Sequence, residues 1–373
     1  MTTAFPLRPF GEMVDWFDSR RVPVKSADRK PGPYPYYGAS GIVDWVDGYL
    51  FEGLHLLVSE DGENLRSRST PIAFLADGKY WVNNHAHVVR GRDDADTRFF
   101  GYAMSVTDIA GHVSGSAQPK LSQSSLQAVL LPTPPAAERR AIAEVLGALD
   151  DKIAANDRLV AVAESLIIAR ASQEVGRCRI SDVAEHLKKS LSPSLLGTSP
   201  VNHYSLPAFD ARRLPSVEVA DSILSSKFDL ASPAVLLSKL NPRFPRVWDV
   251  PSPISPAVAS TEFVVLQPRE VSTSVLWAVL SQPGLGQTLL DKASGTSGSH
   301  QRVRPQEILD AEISDPRALP TEVAELITSL GSRVQLARRE SQGLGALRDA
   351  LLPELMSGRL RVKDAEKSVE GVV

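Results

Sequence analysis

The sequence lacks the features that mark disulfide-linked, exported or membrane-spanning proteins. Its 373 residues include one cysteine, Cys178, which excludes an internal disulfide and a zinc site made of several cysteines. No apolar run approaches the roughly 18 residues that a membrane span needs. Pro6, Arg8 and Pro9 interrupt the segment in which an export signal would be apolar. We therefore expect a cytoplasmic protein with no membrane partner.

An excess of positive charge is also missing. The formal net charge is -3, and neither half is basic. Residues 1–132 carry 13 Lys and Arg against 15 Asp and Glu, and residues 177–319 carry 15 against 14. A protein that holds DNA alone by neutralising phosphates usually has a marked positive excess. If this chain binds DNA, we expect it to gain affinity from partners.

The common motifs of catalysis are absent as well. The chain has no P-loop and no Gly-x-Ser-x-Gly elbow, which excludes the usual forms of NTPase and hydrolase. An adenine methyltransferase needs a Gly-rich cofactor loop and an Asn/Asp-Pro-Pro-aromatic turn. The run Asn241-Pro242-Arg243-Phe244 imitates that turn, but Arg243 replaces the second proline and no Gly-rich strand-turn-helix precedes it. We expect no catalytic residue and no cofactor.

Two histidines at alternate positions suggest a metal site only weakly. Strand alternation predicts His85 and His87 on one face. Cysteine or carboxylate partners at metal-binding spacing are missing from their neighbourhood. We therefore predict no metal site.

An internal repeat organises what the sequence does contain. Residues 115–122 recur 182 positions later as 297–304, with small, basic and aliphatic residues in step. Residues 358–364 repeat 176–182 at the same offset, and both segments resemble residues 7–10. Such self-similarity predicts two copies of one structural module.

Each copy is followed by a heptad pattern of apolar residues, which predicts a long helix. The polar residues Asn156 and Arg348 interrupt the apolar rows, or seams, of the two predicted helices. We predict that the helices pack on each other, antiparallel, as a coiled coil; the alternative is two separate amphipathic helices, each covering its own domain. The predicted interface consists of Ile142, Leu146, Leu149, Ile153, Val160, Val323, Ile327, Leu330 and Val334.

Outside the helices, short strand-like runs bounded by turn residues alternate with short helical stretches. The predicted fold class is α+β, with two globular domains in a pseudo-twofold repeat, separated by the pair of long helices. The predicted boundaries are 1–132 for the first domain, 133–176 for the first helix, 177–319 for the second domain, 320–358 for the second helix and 359–373 for a C-terminal tail.

Several motifs, taken in order, resemble one known family. They are Gly-Ser-Ala-Gln-Pro-Lys-Leu-Ser at 115–122, Leu-Pro-Thr-Pro-Pro at 131–135, Leu-Ser-Lys-Leu-Asn-Pro-Arg at 237–243 and Leu-Leu-Pro-Glu-Leu-Met-Ser-Gly-Arg-Leu at 351–360. This order is similar to the specificity subunit of type I restriction-modification systems. Gly298-Ser299-His300 departs from the Gly-Ser-x-Gln-Pro form of the first copy, so the local role of the second copy stays open.

The resemblance implies a non-catalytic, DNA-reading subunit. It implies that 1–132 and 177–319 are target-recognition domains, each reading one half of a bipartite site in double-stranded DNA. The conserved helices would dock two modification subunits, which bind S-adenosylmethionine and transfer the methyl group. Cleavage, where present, would belong to a separate restriction motor subunit.

Residues suited to DNA contact cluster in turns and loops. Asn and His side chains near position 84 suit hydrogen bonds to bases or phosphates, although a purely structural turn is the alternative. Basic residues after position 238, and beside the Gly/Ser-rich loops 111–116 and 294–299, suit phosphates; solvated loops and hinges are the alternatives. The candidates are Arg66, Arg68, Asn83, Asn84, His85, Gln118, Lys120, Lys239, Arg243, Arg246, His300 and Arg302.

Two other functions remain open at this point. One is a helical-hairpin scaffold that binds proteins and no DNA. The other is a fused adenine methyltransferase, which would methylate DNA without a partner subunit.

Overall fold

A computed structural model describes residues 5–172, 176–293 and 301–371. The chain divides into two compact units. Unit 1 comprises Met1–Ile153 and Gly343–Val373, and unit 2 comprises Ala154–Gln342. The two long helices, α4 (Ala136–Ala171) and α10 (Thr321–Ser357), each contribute one half to each unit.

Unit 1 combines two four-stranded sheets, a two-stranded ribbon and short helices. Its strands are β1 (Leu7–Pro9), β2 (Asp15–Trp16), β3 (Pro31–Gly38), β4 (Gly41–Val46), β5 (Phe51–Glu52), β6 (His55–Ser59), β7 (Ala73–Ala76), β8 (Lys79–Val82), β9 (Ala86–Arg90) and β10 (Leu130–Pro132). Its short helices are α1 (Asn64–Ser67), α2 (Asp94–Val106) and α3 (Gln123–Gln127). The sheets have the strand orders β2-β9-β6-β7 and β4-β3-β8-β5, and β1 pairs with β10.

Unit 2 combines sheets and helices in a similar way. Its strands are β11 (Arg177–Arg179), β12 (Ala184–His186), β13 (Ser190–Leu191), β14 (Pro200–Tyr204), β15 (Ser216–Val219), β16 (Lys227–Asp229), β17 (Ala234–Ser238), β18 (Val247–Val250), β19 (Ala257–Ala259), β20 (Phe263–Pro268) and β21 (Glu312–Ser314). Its short helices are α5 (Ile180–Val183), α6 (Leu206–Arg212), α7 (Thr273–Leu280), α8 (Pro283–Asp291) and α9 (Pro305–Leu309). The strand orders are β12-β20-β17-β18 and β13-β16-β19-β14-β15, and β11 pairs with β21.

The repeat seen in the sequence is present in the sheets. The order β2-β9-β6-β7 of unit 1 corresponds strand by strand to β12-β20-β17-β18 of unit 2. The ribbon of β1 and β10 corresponds to that of β11 and β21, with Pro132 and Ser314 at equivalent ends. The central strands β6 and β17 are buried at every position, as expected for strands covered on both faces. The predicted α+β fold with two repeated modules is confirmed.

Within unit 1, the N-terminal half of α4 and the C-terminal half of α10 share one hydrophobic core with the globular part. Ile142, Leu146 and Leu149 are buried there together with Leu344 and Leu351, and Ile153 is partly buried. Arg348, which interrupts the seam, donates a hydrogen bond to Asp150 at 2.8 Å. In this unit, each long helix packs both on the other long helix and on the core of strands and short helices. The heptad pattern therefore serves both predicted roles here.

Within unit 2, the other halves of the helices pack in the same manner. Ile167 and Ile327 belong to one core, with Val323 and Leu330 packed against it. Val334 is buried and Val160 is half-buried. Asn156 donates to Glu340 at 2.8 Å and Arg338 donates to Glu164 at 2.7 Å, so the helices run antiparallel here.

Different contacts hold the helices to the two globular parts. In unit 1, buried Arg139 of α4 donates two hydrogen bonds to Asp96 of α2, at 2.8 and 3.0 Å. In unit 2, Glu164 of α4 accepts hydrogen bonds from Arg213 and Arg338 at 2.9 and 2.7 Å.

A glycine allows a second close contact in unit 2. A Cβ atom on Gly331 of α10 would lie 2.1 Å from Ser274 Oγ of α7. That hydroxyl donates at 2.6 Å to Asp249, whose pKa is raised because the carboxylate is buried.

The C-terminal segment ends in a helix, α11 (Val362–Val369), whose Ala365 and Val369 enter the core of unit 1. Phe10 is buried in the same core. The helix begins after Arg361, which corresponds at the repeat offset to Arg179, the residue before α5. None of the described helices combines the length and apolar character that a membrane crossing needs.

Candidate DNA interface

The turn that follows the central strand contains one residue with a positive φ angle at the same position in both units. β6 ends at Ser59 and β17 ends at Ser238, 179 residues later. Three residues beyond each serine, Gly62 and Asn241 adopt left-handed φ angles of 107° and 52°. Glycine adopts this conformation readily, and asparagine is among the few other residues that tolerate it. We call the segments 60–68 and 239–246 the strand-end turns.

Each strand-end turn is hydrogen-bonded to the loop that leads toward a long helix. In unit 1, Asp61 forms a bridge with Lys120, and the amide of Gly62 donates to Pro119 O at 3.1 Å. In unit 2, Leu240 forms a bridge with Arg302, and the amide of Asn241 donates to Gln301 O at 3.0 Å. We call the segments 114–121 and 301–304 the approach loops. The fold thus brings together candidates that lie about 60 residues apart in the sequence.

In unit 1, two candidate arginines bind backbone carbonyls of the protein. Arg66 donates to Ser116 O at 3.1 Å and also to Gly115 O, so it ties the strand-end turn to the approach loop. Arg68 donates to Ser105 O at 3.1 Å and also to Thr107 O, beside the end of α2. Both guanidinium groups therefore stabilise the loops, whatever else they contact.

The other candidates of unit 1 differ in exposure. Asn83 is buried and its side-chain oxygen accepts a hydrogen bond from the amide of His85, so it shapes the turn. Asn84, His85, Gln118 and Lys120 are exposed. His85 Nδ1 lies 2.7 Å from Asp61 Oδ2, and Lys120 Nζ lies 3.4 Å from Glu60 Oε1. Cations and carboxylates are therefore mixed on this surface.

The prediction that His85 and His87 share a strand face is wrong. β9 begins at Ala86, so His85 lies in the preceding turn while the His87 ring is buried in the unit. His87 Nδ1 lies 2.6 Å from Asp18 Oδ2 and Nε2 lies 2.8 Å from Leu121 O. Each ring nitrogen of His87 is thus occupied by a protein partner. In the ranges that the structure describes, no cluster of three or more His, Cys, Asp or Glu could hold a metal ion.

In unit 2, the strand-end turn carries an exposed Arg243 and a half-buried Lys239. Within the described part of the chain, neither the Lys239 ammonium nor the Arg243 guanidinium has a hydrogen-bond or salt-bridge partner. Arg246 forms a bidentate pair with Asp210 at 2.6 and 2.9 Å, and Arg302 contacts Glu262 at 3.0 Å. His300 and the Gly/Ser-rich loop 294–299 lie outside the described residues.

A neutral histidine adjoins the cations of unit 2. Burial, with Lys188 and Lys239 adding a smaller effect, lowers the pKa of His186 to about 4. Neither ring nitrogen of His186 has a hydrogen-bond partner among the described residues. The imidazole is therefore uncharged at neutral pH.

One exposed side chain in this region was not among the sequence candidates. Phe244 lies on the strand-end turn of unit 2 with 67% of its surface exposed. An alignment of the two halves at the offset of 179 places Phe244 over Leu65, which the structure shows to be buried.

Comparisons with known proteins agree with this arrangement. A family model described as "Type I restriction modification DNA specificity domain" matches residues 7–164. Residues 7–164 are therefore similar to the specificity domain of type I restriction-modification systems. This match confirms the resemblance found in the sequence.

A relative and a solved structure extend the comparison. A putative type I restriction enzyme specificity subunit of Haemophilus influenzae is 36% identical over 143 residues, which are 38% of this chain and 36% of that relative. The match thus spans little more than a third of the relative's length. The crystal structure of a type I S subunit from M. genitalium aligns with a TM-score of 0.64 at 13% identity, over 95% of this chain and 96% of that one. That likeness concerns the fold.

Proposed function

We propose that this chain reads a bipartite site in double-stranded DNA for a type I restriction-modification complex. Each unit contacts one half-site through its strand-end turn and approach loop. The regions that read DNA are residues 1–132 and 177–319. The observation that carries this proposal is the same pair of hydrogen-bonded loops in both units, with exposed candidate residues on each.

The charge distribution supports a role inside a complex. Phosphate neutralisation dominates the affinity of most DNA-binding proteins. This chain has a net charge of -3, and several candidate cations are already paired with carboxylates. Two modification subunits would supply the missing affinity, and they would dock on the long helices. Restriction motor subunits are further partners where the system cleaves DNA.

The long helices would also set the spacing of the half-sites. An α-helix rises about 1.5 Å per residue, so its length translates into a fixed distance. Duplex DNA turns once in about 10 to 10.5 base pairs, so that distance also fixes the phase of the second half-site. The number of unread base pairs would then follow from helix length.

A binding series with and without the modification subunits tests the proposal. We expect tight, sequence-specific binding by the complex and weak binding by the lone chain. The target itself comes from mapping methylated adenines across a genome that expresses the complex, which should give two separated half-sites. A complex that selects no DNA sequence would favour a protein-binding scaffold, and methylation by the lone chain would favour a fused methyltransferase.

A charge-removal variant sharpens this test. We expect the double variant Lys239→Ala, Arg243→Ala in the complex to weaken binding to all sequences alike and to lower the salt dependence by about one unit per lost phosphate contact. Arg269→Ala is the matched control, because Arg269 is an arginine of unit 2 outside the loops, with its side chain 55% exposed. An equal effect of the control would argue against phosphate contact by the strand-end turn.

A further inference from the structure

The strand-end turns of the two units place one apolar residue in opposite environments. At the offset of 179, Leu65 corresponds to Phe244. The amide of Leu65 donates to Gly62 O at 3.1 Å, and the amide of Phe244 donates to Asn241 O at 2.9 Å, so the two backbones match at this point. Leu65 is nevertheless 2% exposed, whereas Phe244 is 67% exposed. The two units therefore share this backbone hydrogen bond, but the side chain is buried in unit 1 and exposed in unit 2.

Prolines explain why Phe244 does not turn inward. In unit 1 the chain continues into α1, which carries Leu65 into the core. In unit 2, Pro242 and Pro245 flank Arg243 and Phe244, and a proline has no amide hydrogen with which to continue a helix. Pro245 also packs closely on Gly286 of α8, where an added Cβ would lie 3.3 Å from the proline ring. The turn is thus fixed on both sides of the exposed phenylalanine.

The surroundings of Phe244 suit nucleic acid rather than an apolar protein surface. The guanidinium of Arg243 lies 5.6 Å from the centre of the Phe244 ring. Lys239 lies on the same turn, and neither cation has a hydrogen-bond or salt-bridge partner among the residues described. Single exposed apolar side chains are ordinary on protein surfaces. An exposed aromatic ring on a turn that also carries Lys239 and Arg243 is complementary to a base flanked by phosphates.

We propose that Phe244 is a specificity-determining residue of unit 2, which makes an apolar contact with a base of its half-site while Lys239 and Arg243 contact the adjacent phosphates. This inference rests on the proposed function. Phenylalanine reads DNA by touching apolar groups at base edges, of which the thymine methyl is the main example. The equivalent position of unit 1 cannot act in this way, because Leu65 is part of the core.

Selection from randomised half-sites tests this role in the complex with the modification subunits. For Phe244→Ala we expect the preference at one or two adjacent positions of one half-site to fall by about 5- to 150-fold, the range that a single base mismatch covers. Phe244→Leu should retain part of the preference. Preferences in the other half-site should stay unchanged, and thermal stability should be preserved because the side chain is exposed.

Two control variants separate base contact from other effects. Leu224→Ala removes an apolar side chain that is 95% exposed in the same unit but outside the loops, and should leave every preference intact. Arg243→Ala should weaken binding to all sequences alike. Unchanged preferences in Phe244→Ala, or an equal loss for all sequences, would overturn the inference while leaving the proposed function standing. Failure of the wild-type complex to select any sequence would instead overturn the proposed function.

Discussion

Units 1 and 2 share a sheet order and a strand-end turn, yet they use the turn differently. Unit 1 folds it into the short helix α1 and directs Arg66 at the carbonyls of its approach loop. In unit 2, Pro242 and Pro245 restrict the backbone of the turn, and Arg243 and Phe244 are exposed. The hydrogen bonds between the strand-end turn and the approach loop are therefore the same in both units, whereas the exposed side chains on these loops differ. Under the proposed function, this variation would permit two half-sites of unrelated sequence.

The units also differ in how they hold the long helices. Unit 1 relies on the buried pair of Arg139 and Asp96, in which both side chains are about one-tenth exposed or less. Unit 2 relies on close packing at Gly331 and on Glu164, which bridges two arginines. Substitutions at these anchors should therefore affect the two units by different mechanisms.

The largest expected effect comes from Arg139→Ala. Removing one partner of a buried ion pair leaves an uncompensated charge and typically costs about 3–5 kcal/mol of unfolding free energy. The neighbouring Arg140→Ala is the control, because Arg140 and Asp93 form an exposed pair worth at most about 1 kcal/mol. Urea unfolding gives the difference, and hydrogen exchange should localise the loss to unit 1. Equal effects of the two variants would remove this distinction between the units.

A smaller effect is expected at the anchor of unit 2. In Gly331→Ala the new methyl group would clash with Ser274, and overpacking of this kind costs about 1–3 kcal/mol. Gly343→Ala, in the same helix but with no atom within 4 Å of the added Cβ, should instead stabilise the helix by about 0.5–1 kcal/mol. Thermal unfolding of both variants checks the signs. Stabilisation by Gly331→Ala would show that the close approach is not maintained in solution.

The smallest effect concerns pH and is specific to unit 2. Because the folded-state pKa of His186 is lowered to about 4, only the unfolded state binds a proton as pH falls from about 6.5 toward 4. Stability is therefore lost over that window and is fully present above it. Allowing for partial solvent exposure, we expect a loss on the order of 1–2 kcal/mol. His186→Gln, which does not titrate, should lose less stability between pH 7 and pH 4, and identical profiles would contradict the assignment.

The sequence predicted the repeated architecture because apolar periodicity and turn residues are local signals. The heptads placed α4 and α10, and the recurrence of 115–122 located the approach loops. The partners of individual side chains could not be predicted in the same way. Arg66 binds Gly115 and Ser116 about fifty residues away, and His87 binds Asp18 at a distance of 69 positions. Such contacts depend on tertiary packing, which no local pattern encodes.

Phe244 illustrates a different limit of prediction from sequence. Its motif, Asn241-Pro242-Arg243-Phe244, resembles a methyltransferase turn at Asn241 and Pro242. Comparing the two halves residue by residue would have set it against Leu65. Only the structure shows that one of these residues is buried and the other exposed.

The central claim is that two readers are held at a spacing set by the long helices. The boundary between the units falls between Ile153 and Ala154 in α4 and between Gln342 and Gly343 in α10. One heptad inserted at both places keeps the seam in register and lengthens each helix by about 10 Å, equivalent to about three base pairs. Mapping of methylated sites in cells that express this variant should give a spacer lengthened by about three base pairs between unchanged half-sites. An unchanged spacer, or an altered half-site sequence, would contradict the account.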